Sequence, residues 1–189
     1  MRYAPGATWL VLALLTGVQS GLADEALWRS TAAGSELAFS AWWEGTELPG
    51  RFADFTARVQ LDETGTDPTA LTVEVKVGSV DMNDREINAE LVEPDWFNVA
   101  SFPLAVFAST AIRREESGYL AAGSLRLKGI ESSLEIPLEW ERDGDSATLS
   151  GTVTLSRQDW QVGAGEWASN ASLSDRVDLR YRVILTPER

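Results

Sequence analysis

Carboxylates are the main candidates for acid–base chemistry in this 189-residue chain, which contains 29 Asp and Glu residues but no histidine and no cysteine. Without histidine, no side chain has an ordinary pKa near neutrality, and the commonest metal ligand is missing. Ser-His-Asp and Cys-His nucleophile systems are excluded for the same reason. The composition therefore favours a binding protein over an enzyme.

A pair of carboxylates could still hydrolyse a glycosidic bond. The acidic residues considered for this role show no spacing that singles out a pair: Glu44, Glu47, Asp54, Asp159 and Glu166. So acidic a chain contains chance neighbours of this kind, and we predict no enzymatic activity.

Another acidic segment, Asp81-x-Asn83-Asp84, is similar to the start of a calcium loop but lacks the glycine and the terminal glutamate of such a loop. Asn83 lies three residues before Glu86, which predicts a helix N-cap with a capping box. No metal site and no cofactor are predicted.

The N-terminus has the features of a secretory signal peptide. The positive charge of Arg2 precedes an apolar run at residues 7–18, and the small residues Gly21 and Ala23 stand before a possible cleavage site. We predict a cleaved signal at residues 1–23 and one domain at residues 24–189. The alternative is a retained membrane anchor, but the apolar run is shorter than the roughly 20 residues that a spanning helix needs.

The formal net charge of the chain is −13 at pH 7. Such a charge repels nucleic acids and anionic lipid head groups, so we expect no nucleic-acid partner and no stable membrane anchor.

Apolar and polar residues alternate along most of the sequence, which is the pattern of strands with one buried face. The alternation is clearest near the C-terminus, where Leu179 and Tyr181 flank Arg180. Eight strands are predicted in this way, at residues 37–43, 55–61, 71–77, 104–112, 119–127, 134–140, 147–155 and 177–185. Gly123 and Gly151 are predicted to mark bends or bulges.

Turn residues at 62–65, 116–118 and 143–145 predict hairpins, so consecutive strands should pair antiparallel. One or two short helices cannot cover eight or nine one-sided strands. The sheet must therefore close on itself or fold into a sandwich. The predicted fold class is all-β.

Several short motifs also occur in order across the chain, and together they resemble the YceI-like family. They are Ser35-x-Leu37-x-Phe39, Gly50-x-Phe52-x-x-Phe55, Asp95-Trp96-Phe97, Phe102-Pro103 with Phe107, Gly123-x-Leu125-x-Leu127-Lys128-Gly129, and Ser156-Arg157-x-Asp159-Trp160. The resemblance implies an extended, lipocalin-like antiparallel β-barrel of about eight strands in the periplasm of a Gram-negative bacterium. It also implies that the lumen holds a non-covalently bound isoprenoid-type lipid, either a polyisoprenoid or an isoprenoid quinone.

An eight-stranded barrel has an interior that side chains can fill or that can hold one slim ligand. Large aromatic residues beside small alanines on the inward faces favour uneven space and a ligand, whereas a packed core is the alternative. The residues predicted to contact the ligand are Phe39, Trp43, Phe52, Phe55, Phe97, Phe107, Leu125, Leu127, Arg157, Trp160 and Tyr181.

The segment 160–174 combines glycines, small polar residues and two tryptophans, Trp160 and Trp167. This composition is typical of a mobile lid at the mouth of a cavity, or equally of a surface loop whose tryptophans plug the barrel end. Arg157 could donate to a ligand head group, or it could hold a buried carboxylate such as Asp159.

The sequence therefore predicts a soluble periplasmic carrier of a hydrophobic long-chain lipid, which could also form a homodimer. The alternative is a stress-related interaction protein with a filled, ligand-free barrel.

Overall fold

The computed structural model describes residues 26–169 and 171–188, so the predicted signal peptide and its cleavage site lie outside the described residues. Within these ranges the backbone forms a single antiparallel sheet. Its strands are β1 (Leu27–Ser30), β2 (Glu36–Trp43), β3 (Thr46–Phe52), β4 (Phe55–Leu61), β5 (Pro68–Lys76), β6 (Val80–Asp81), β7 (Leu104–Arg114), β8 (Tyr119–Leu127), β9 (Ile130–Asp143), β10 (Ser146–Ser156) and β11 (Arg176–Pro187).

The strands occupy eight places in the wall of a closed barrel, because three places are each shared by two strands. β1 and β2 lie one after the other along β11. On their other side, β1 pairs with β4 and β2 pairs with β3. β5 and β6 then pair with β4 and β3. Neighbouring places follow one another along the chain, and β11 closes the ring. This is the lipocalin-like antiparallel barrel that the sequence predicted.

All eight predicted strands are confirmed, but β1, β3 and β6 were not predicted. β3 contains Pro49 and Gly50, which weaken the sequence signal of a strand. Pro49 is tolerated because this part of β3 pairs only with β2, so its other edge needs no N–H donor. Gly50 is required because a Cβ there would lie 2.3 Å from the Phe39 ring.

One α-helix, α1 (Arg85–Leu91), lies between β6 and β7. Its N-cap is Asp84, whose carboxylate accepts hydrogen bonds from the backbone N–H groups of Glu86 (2.8 Å) and Ile87 (3.1 Å). The predicted cap, Asn83, is one residue too early, because it takes the left-handed conformation with φ of 55°. No helix within the described ranges is long and apolar enough to cross a membrane.

The two ends of the barrel differ. The turns that join β4 to β5, β7 to β8 and β9 to β10 lie at one end together with both ends of the described chain, and we call it the closed end. Trp28, Leu61, Leu149 and Leu185 fill it and are at most 2% exposed. The opposite end, which we call the loop end, carries α1, the long connection before β7, and two short 3-10 helices, Arg157–Trp160 and Gly165–Ala168.

Of the two glycines predicted to mark bends or bulges, Gly123 lies opposite a bulge, whereas the pairing of Gly151 with β11 continues without a register shift. Gly123 faces a bulge in β7, where the register shifts between Ser109 and Ala111, and a Cβ there would lie 2.2 Å from the Ala108 carbonyl oxygen. Gly151 makes room for the Tyr181 side chain, since a Cβ would lie 2.3 Å from the phenol oxygen.

Tyr181 closes a split in the wall. The pairing of β9 with β10 ends at Glu139 and Ser150, and beyond this point the Tyr181 hydroxyl donates to the carbonyl oxygen of Pro137. Farther along, the ring nitrogen of Trp160 donates to the Leu125 carbonyl oxygen at 3.0 Å. The Tyr181 hydroxyl therefore joins β11 to β9 across the separation of β9 from β10, whereas the Trp160 ring joins the 3-10 helix Arg157–Trp160 to β8.

Burial raises the pKa of the Tyr181 phenol far above its ordinary value, and the nearby carboxylate of Glu139 acts in the same direction. A tyrosine in the unfolded chain ionises at about pH 10, whereas Tyr181 in the native state keeps its proton there. Above that pH the native state therefore holds more protons than the unfolded state. We therefore expect the free energy of unfolding to fall as the pH rises from about 9 to 11.

The control is Tyr181→Phe, which should cost about 1 kcal/mol at neutral pH through the lost hydrogen bond. This variant should lose stability less steeply at high pH than the unmodified protein. Urea unfolding across the alkaline range checks this, and parallel stability curves for the two proteins would contradict the role given to Tyr181.

Candidate ligand cavity

Inward-facing side chains change from buried to partly exposed along the barrel axis. On β11, Leu185 is 0% exposed, Val183 4% and Tyr181 7%, whereas Leu179, the next inward residue toward the loop end, is partly exposed. The inward face of β4 repeats the change, with Phe55 partly exposed at its loop-end terminus. The closed half is therefore packed solid, whereas the apolar inward-facing side chains toward the loop end are less completely buried.

Five of the residues predicted to contact a ligand are partly exposed and lie at this level: Phe39, Phe52, Phe55, Leu125 and Leu127. Phe52 and Leu125 pack against both the cluster that fills the closed half and the cluster at the loop end, so they lie between the two. Phe107 and Phe97 are buried and pack in the first and the second cluster respectively. The structure therefore brings the central predicted residues together at one level of the barrel, where the two apolar clusters meet.

Three phenylalanines form a continuous contact across this region. The Phe39 and Phe52 ring centroids are 5.4 Å apart, and those of Phe52 and Phe97 are 5.8 Å apart. Such tilted and edge-on contacts favour a stable aromatic wall.

Several lining residues were not predicted, although strand alternation identifies them. Val73, Leu134 and Leu179 are inward-facing, partly exposed and packed against the closed-half cluster. They were missed because they lie outside the family motifs and resemble any other core residue in the sequence.

Tryptophans cover the loop end. The Trp167 ring lies between Trp43 and Trp96, with centroid distances of 5.5 and 5.8 Å. The Trp96 ring nitrogen donates to Glu90 of α1 at 3.1 Å. Trp43 therefore packs against the 160–174 segment, and the tryptophans of this segment lie at the barrel end, as both the lid and the plug require.

Arg157 fixes this segment in place. Its side chain is buried, with the residue only 5% exposed, and its guanidinium donates to backbone carbonyl oxygens of the loop that follows. These acceptors belong to Val162 (2.8 Å), Gly163 (3.0 Å), Trp167 (2.8 Å), Ser169 (3.4 Å), Leu173 (3.3 Å) and Ser174 (3.0 Å).

Desolvation lowers the pKa of Arg157, and the charge of Asp175 opposes this effect. Asp159, the carboxylate that the sequence suggested as a partner of Arg157, is exposed. Trp160 beside it is buried, at 2% exposure, in the loop-end cluster. The geometry gives Arg157 the role of holding the covering loop.

Comparison with known proteins supports the same family at the level of sequence and of fold. Residues 28–185 match the family described as YceI-like domain. The chain is 31% identical over 134 residues to a UPF0312 protein of Photorhabdus laumondii, an alignment that covers 67% of this chain and 70% of that protein. It is also 31% identical over 98 residues to Protein YceI of Salmonella arizonae, with 52% of this chain and 51% of the relative covered.

Two solved structures share the barrel. Burkholderia cenocepacia BcnA superposes with a TM-score of 0.77 at 25% identity and covers 82% of this chain and 98% of its own. A polyisoprenoid binding domain from Saccharophagus degradans has a TM-score of 0.68 at 14% identity, covering 87% and 99%, and shows the shared fold. Because the family match spans nearly all of the described barrel, the chain belongs to the YceI-like family.

Proposed function

We propose that this protein binds one long-chain isoprenoid-type lipid, a polyisoprenoid or an isoprenoid quinone, in the loop-end half of the barrel. The observation that carries the proposal is the change from buried to partly exposed inward-facing residues along β4, β8 and β11. A barrel designed only for stability would bury these apolar side chains as completely as it buries Val59 and Leu61.

The physical chemistry of the lining supports a lipid as the ligand. Burying a chain of about twenty carbons contributes on the order of 16 kcal/mol at about 0.8 kcal/mol per methylene. Association and ordering cost roughly 4 to 15 kcal/mol, which leaves a favourable balance. The structural neighbour from Saccharophagus degradans is described as a polyisoprenoid binding domain, which supports the same ligand class.

The proposed setting is the periplasm of a Gram-negative bacterium, where the protein would carry or sequester the lipid without chemical conversion. The N-terminal signal pattern at residues 1–23 supports this location. The absence of histidine and cysteine from the sequence supports a binding role.

The test is native mass spectrometry of the protein purified from its own periplasm, followed by extraction and identification of any bound lipid. We expect one isoprenoid-type molecule per chain. The control is protein unfolded in denaturant and refolded without lipid, which should have the mass of the chain alone. If the periplasmic protein also has this mass and takes up no added lipid, the barrel is a filled scaffold and the interaction protein becomes the better interpretation.

A further inference from the structure

The barrel wall is interrupted where β1 is followed by β2 and where β3 is followed by β4. Pairing between the two places stops at Arg58 in β4 and resumes at Arg51 in β3. Residues 31–37 and 52–56 therefore face each other without a hydrogen-bonded ladder, and at one margin the Ala57 N–H donates to the Ser30 hydroxyl at 2.9 Å. We call this opening the wall window, and a groove of about 680 Å³ lies in it.

The segment between β1 and β2, which forms one margin of the wall window, is hydrogen-bonded to β11 on its other side. The Thr31 N–H donates to the Ile184 carbonyl oxygen at 2.8 Å, and the Ile184 N–H donates to the Ser35 hydroxyl at 2.9 Å. These bonds hold the segment between β1 and β2 against β11. The interruption is therefore a built feature of the wall.

The floor of the wall window is apolar and belongs to the lumen. Leu37, Phe52 and Phe55 line the groove, and all three also pack with the core inside the barrel. Phe52 and Phe55 are partly exposed. The groove is thus continuous with the aromatic wall of the proposed ligand cavity.

Both ends of the barrel offer poorer routes to that cavity. The closed end is packed with side chains that are at most 2% exposed. The loop end is covered by Trp167, and the segment that carries Trp167 is held by the hydrogen bonds of Arg157. Passage there would require breaking a buried hydrogen-bond network, whereas the wall window has no backbone ladder to break.

We propose that the lipid enters and leaves the lumen tail first through the wall window, an inference that rests on the proposed function. The apolar chain passes over Phe52 and Phe55 into the cavity. The polar head group stays at the rim of the wall window, because the lumen offers it few polar partners.

The rim then selects the head group. Arg51, the one cation among the residues that line the groove, forms an ion pair with Asp81 at 2.8 Å, and the lining carboxylate of Asp54 forms one with Lys76 at 2.6 Å. Glu36 adds a further exposed negative charge. An anionic diphosphate would therefore find no unpaired cation among the residues that line the groove, and the rim fits an uncharged head group such as an alcohol or a quinone.

The route is tested by blocking the wall window in a chain that has no cysteine of its own. Ala53→Cys places one thiol in the groove, and Ala111→Cys places one on the outer face of β7. Both alanines are exposed, so both thiols can be coupled to a maleimide-linked polyethylene glycol. The probe is decylubiquinone, and its binding is followed by quenching of tryptophan fluorescence in a stopped-flow instrument.

We expect the coupled Ala53→Cys protein to bind and release decylubiquinone about tenfold more slowly, with little change in Kd, because an obstructed passage alters both rates together. Coupled Ala111→Cys should match the unmodified protein. Unchanged rates in coupled Ala53→Cys would overturn the wall window as the route. If the unmodified protein binds no decylubiquinone and no isoprenoid alcohol, the proposed function itself fails, and the route fails with it.

The head group is tested by displacing decylubiquinone with geranylgeraniol or with geranylgeranyl diphosphate. The two competitors share one tail, so the comparison isolates the head. We expect the alcohol to bind about tenfold more tightly, which corresponds to about 1.4 kcal/mol. Tighter binding of the diphosphate would overturn the placement of an uncharged head at this rim.

Discussion

Replacing Leu125 with tryptophan is expected to abolish lipid retention while leaving the barrel folded. Leu125 is an inward-facing, partly exposed residue of β8 that contacts both apolar clusters and pairs across the sheet with Phe107. A larger ring at this position would occupy the space proposed for the lipid chain. Overpacking of this kind costs about 1–3 kcal/mol, which a domain with roughly 5–15 kcal/mol of stability tolerates.

The matched control is Arg126→Trp, which places the same ring on the next residue of the same strand. Arg126 faces solvent and is exposed, so the new ring should meet only water and retention should be unchanged. Lipid recovered per folded protein is the measurement, with circular dichroism reporting the fold. Full retention in Leu125→Trp would place the ligand elsewhere or leave the barrel without one.

A second pair of variants, Phe107→Ser and Arg180→Ser, extends the same test by making a side chain smaller. Phe107 is 3% exposed, and Phe107→Ser should abolish retention at a cost of at least about 3–5 kcal/mol, the usual cost of truncating a buried phenylalanine. Arg180→Ser on the outer face of β11 should affect neither property, because Arg180 is exposed.

Alternation made most of the barrel predictable. A strand with one buried face carries its signal in each consecutive residue, so the strands around Phe107 and Tyr181 could be read from the sequence. β1 could not be predicted in this way, because a strand of four residues is too short to show an alternation of apolar and polar residues. Trp28, one of its four residues, is nonetheless 1% exposed and is among the largest fully buried side chains of the structure.

The site was predictable to the extent that it follows from inward-facing strand positions. Phe39 and Leu125 could be assigned to the lumen by alternation and by the family motifs. The partners of Arg157 could not be assigned, because backbone carbonyl oxygens have no residue identity in a sequence. The wall window could not be predicted either, because it depends on where the backbone pairing of β1 with β4 stops and that of β2 with β3 begins.

The largest expected loss of stability is that of Arg157→Leu. The substitution keeps an apolar stem but leaves the loop carbonyl oxygens of Val162, Trp167 and Leu173 without their charged donor. Hydrogen bonds from a charged group each contribute about 1.5–3 kcal/mol, and leaving buried acceptors unsatisfied adds to the loss. We expect a loss on the order of 5 kcal/mol, measured by urea unfolding.

Arg157→Lys keeps the experiment informative if the leucine variant does not fold. Lysine retains the positive charge but replaces the planar five-donor fork with a single ammonium, so its loss should be about half as large. Hydrogen exchange in residues 161–169 should become faster in both variants, because the loop loses its anchor. Unchanged exchange, together with lost lipid retention, would show instead that Arg157 contacts the ligand.

Trp167→Ala tests the Trp167 ring that covers the loop end independently of Arg157, which holds the segment in place. This variant keeps the guanidinium contacts of Arg157 and removes only the ring between Trp43 and Trp96. If the covered loop end is what directs the lipid to the wall window, opening it should create a second passage. Decylubiquinone should then exchange at nearly the unmodified rate even when Ala53→Cys is coupled to polyethylene glycol. Continued slow exchange would show that another part of the loop end, such as the buried Trp160, closes it.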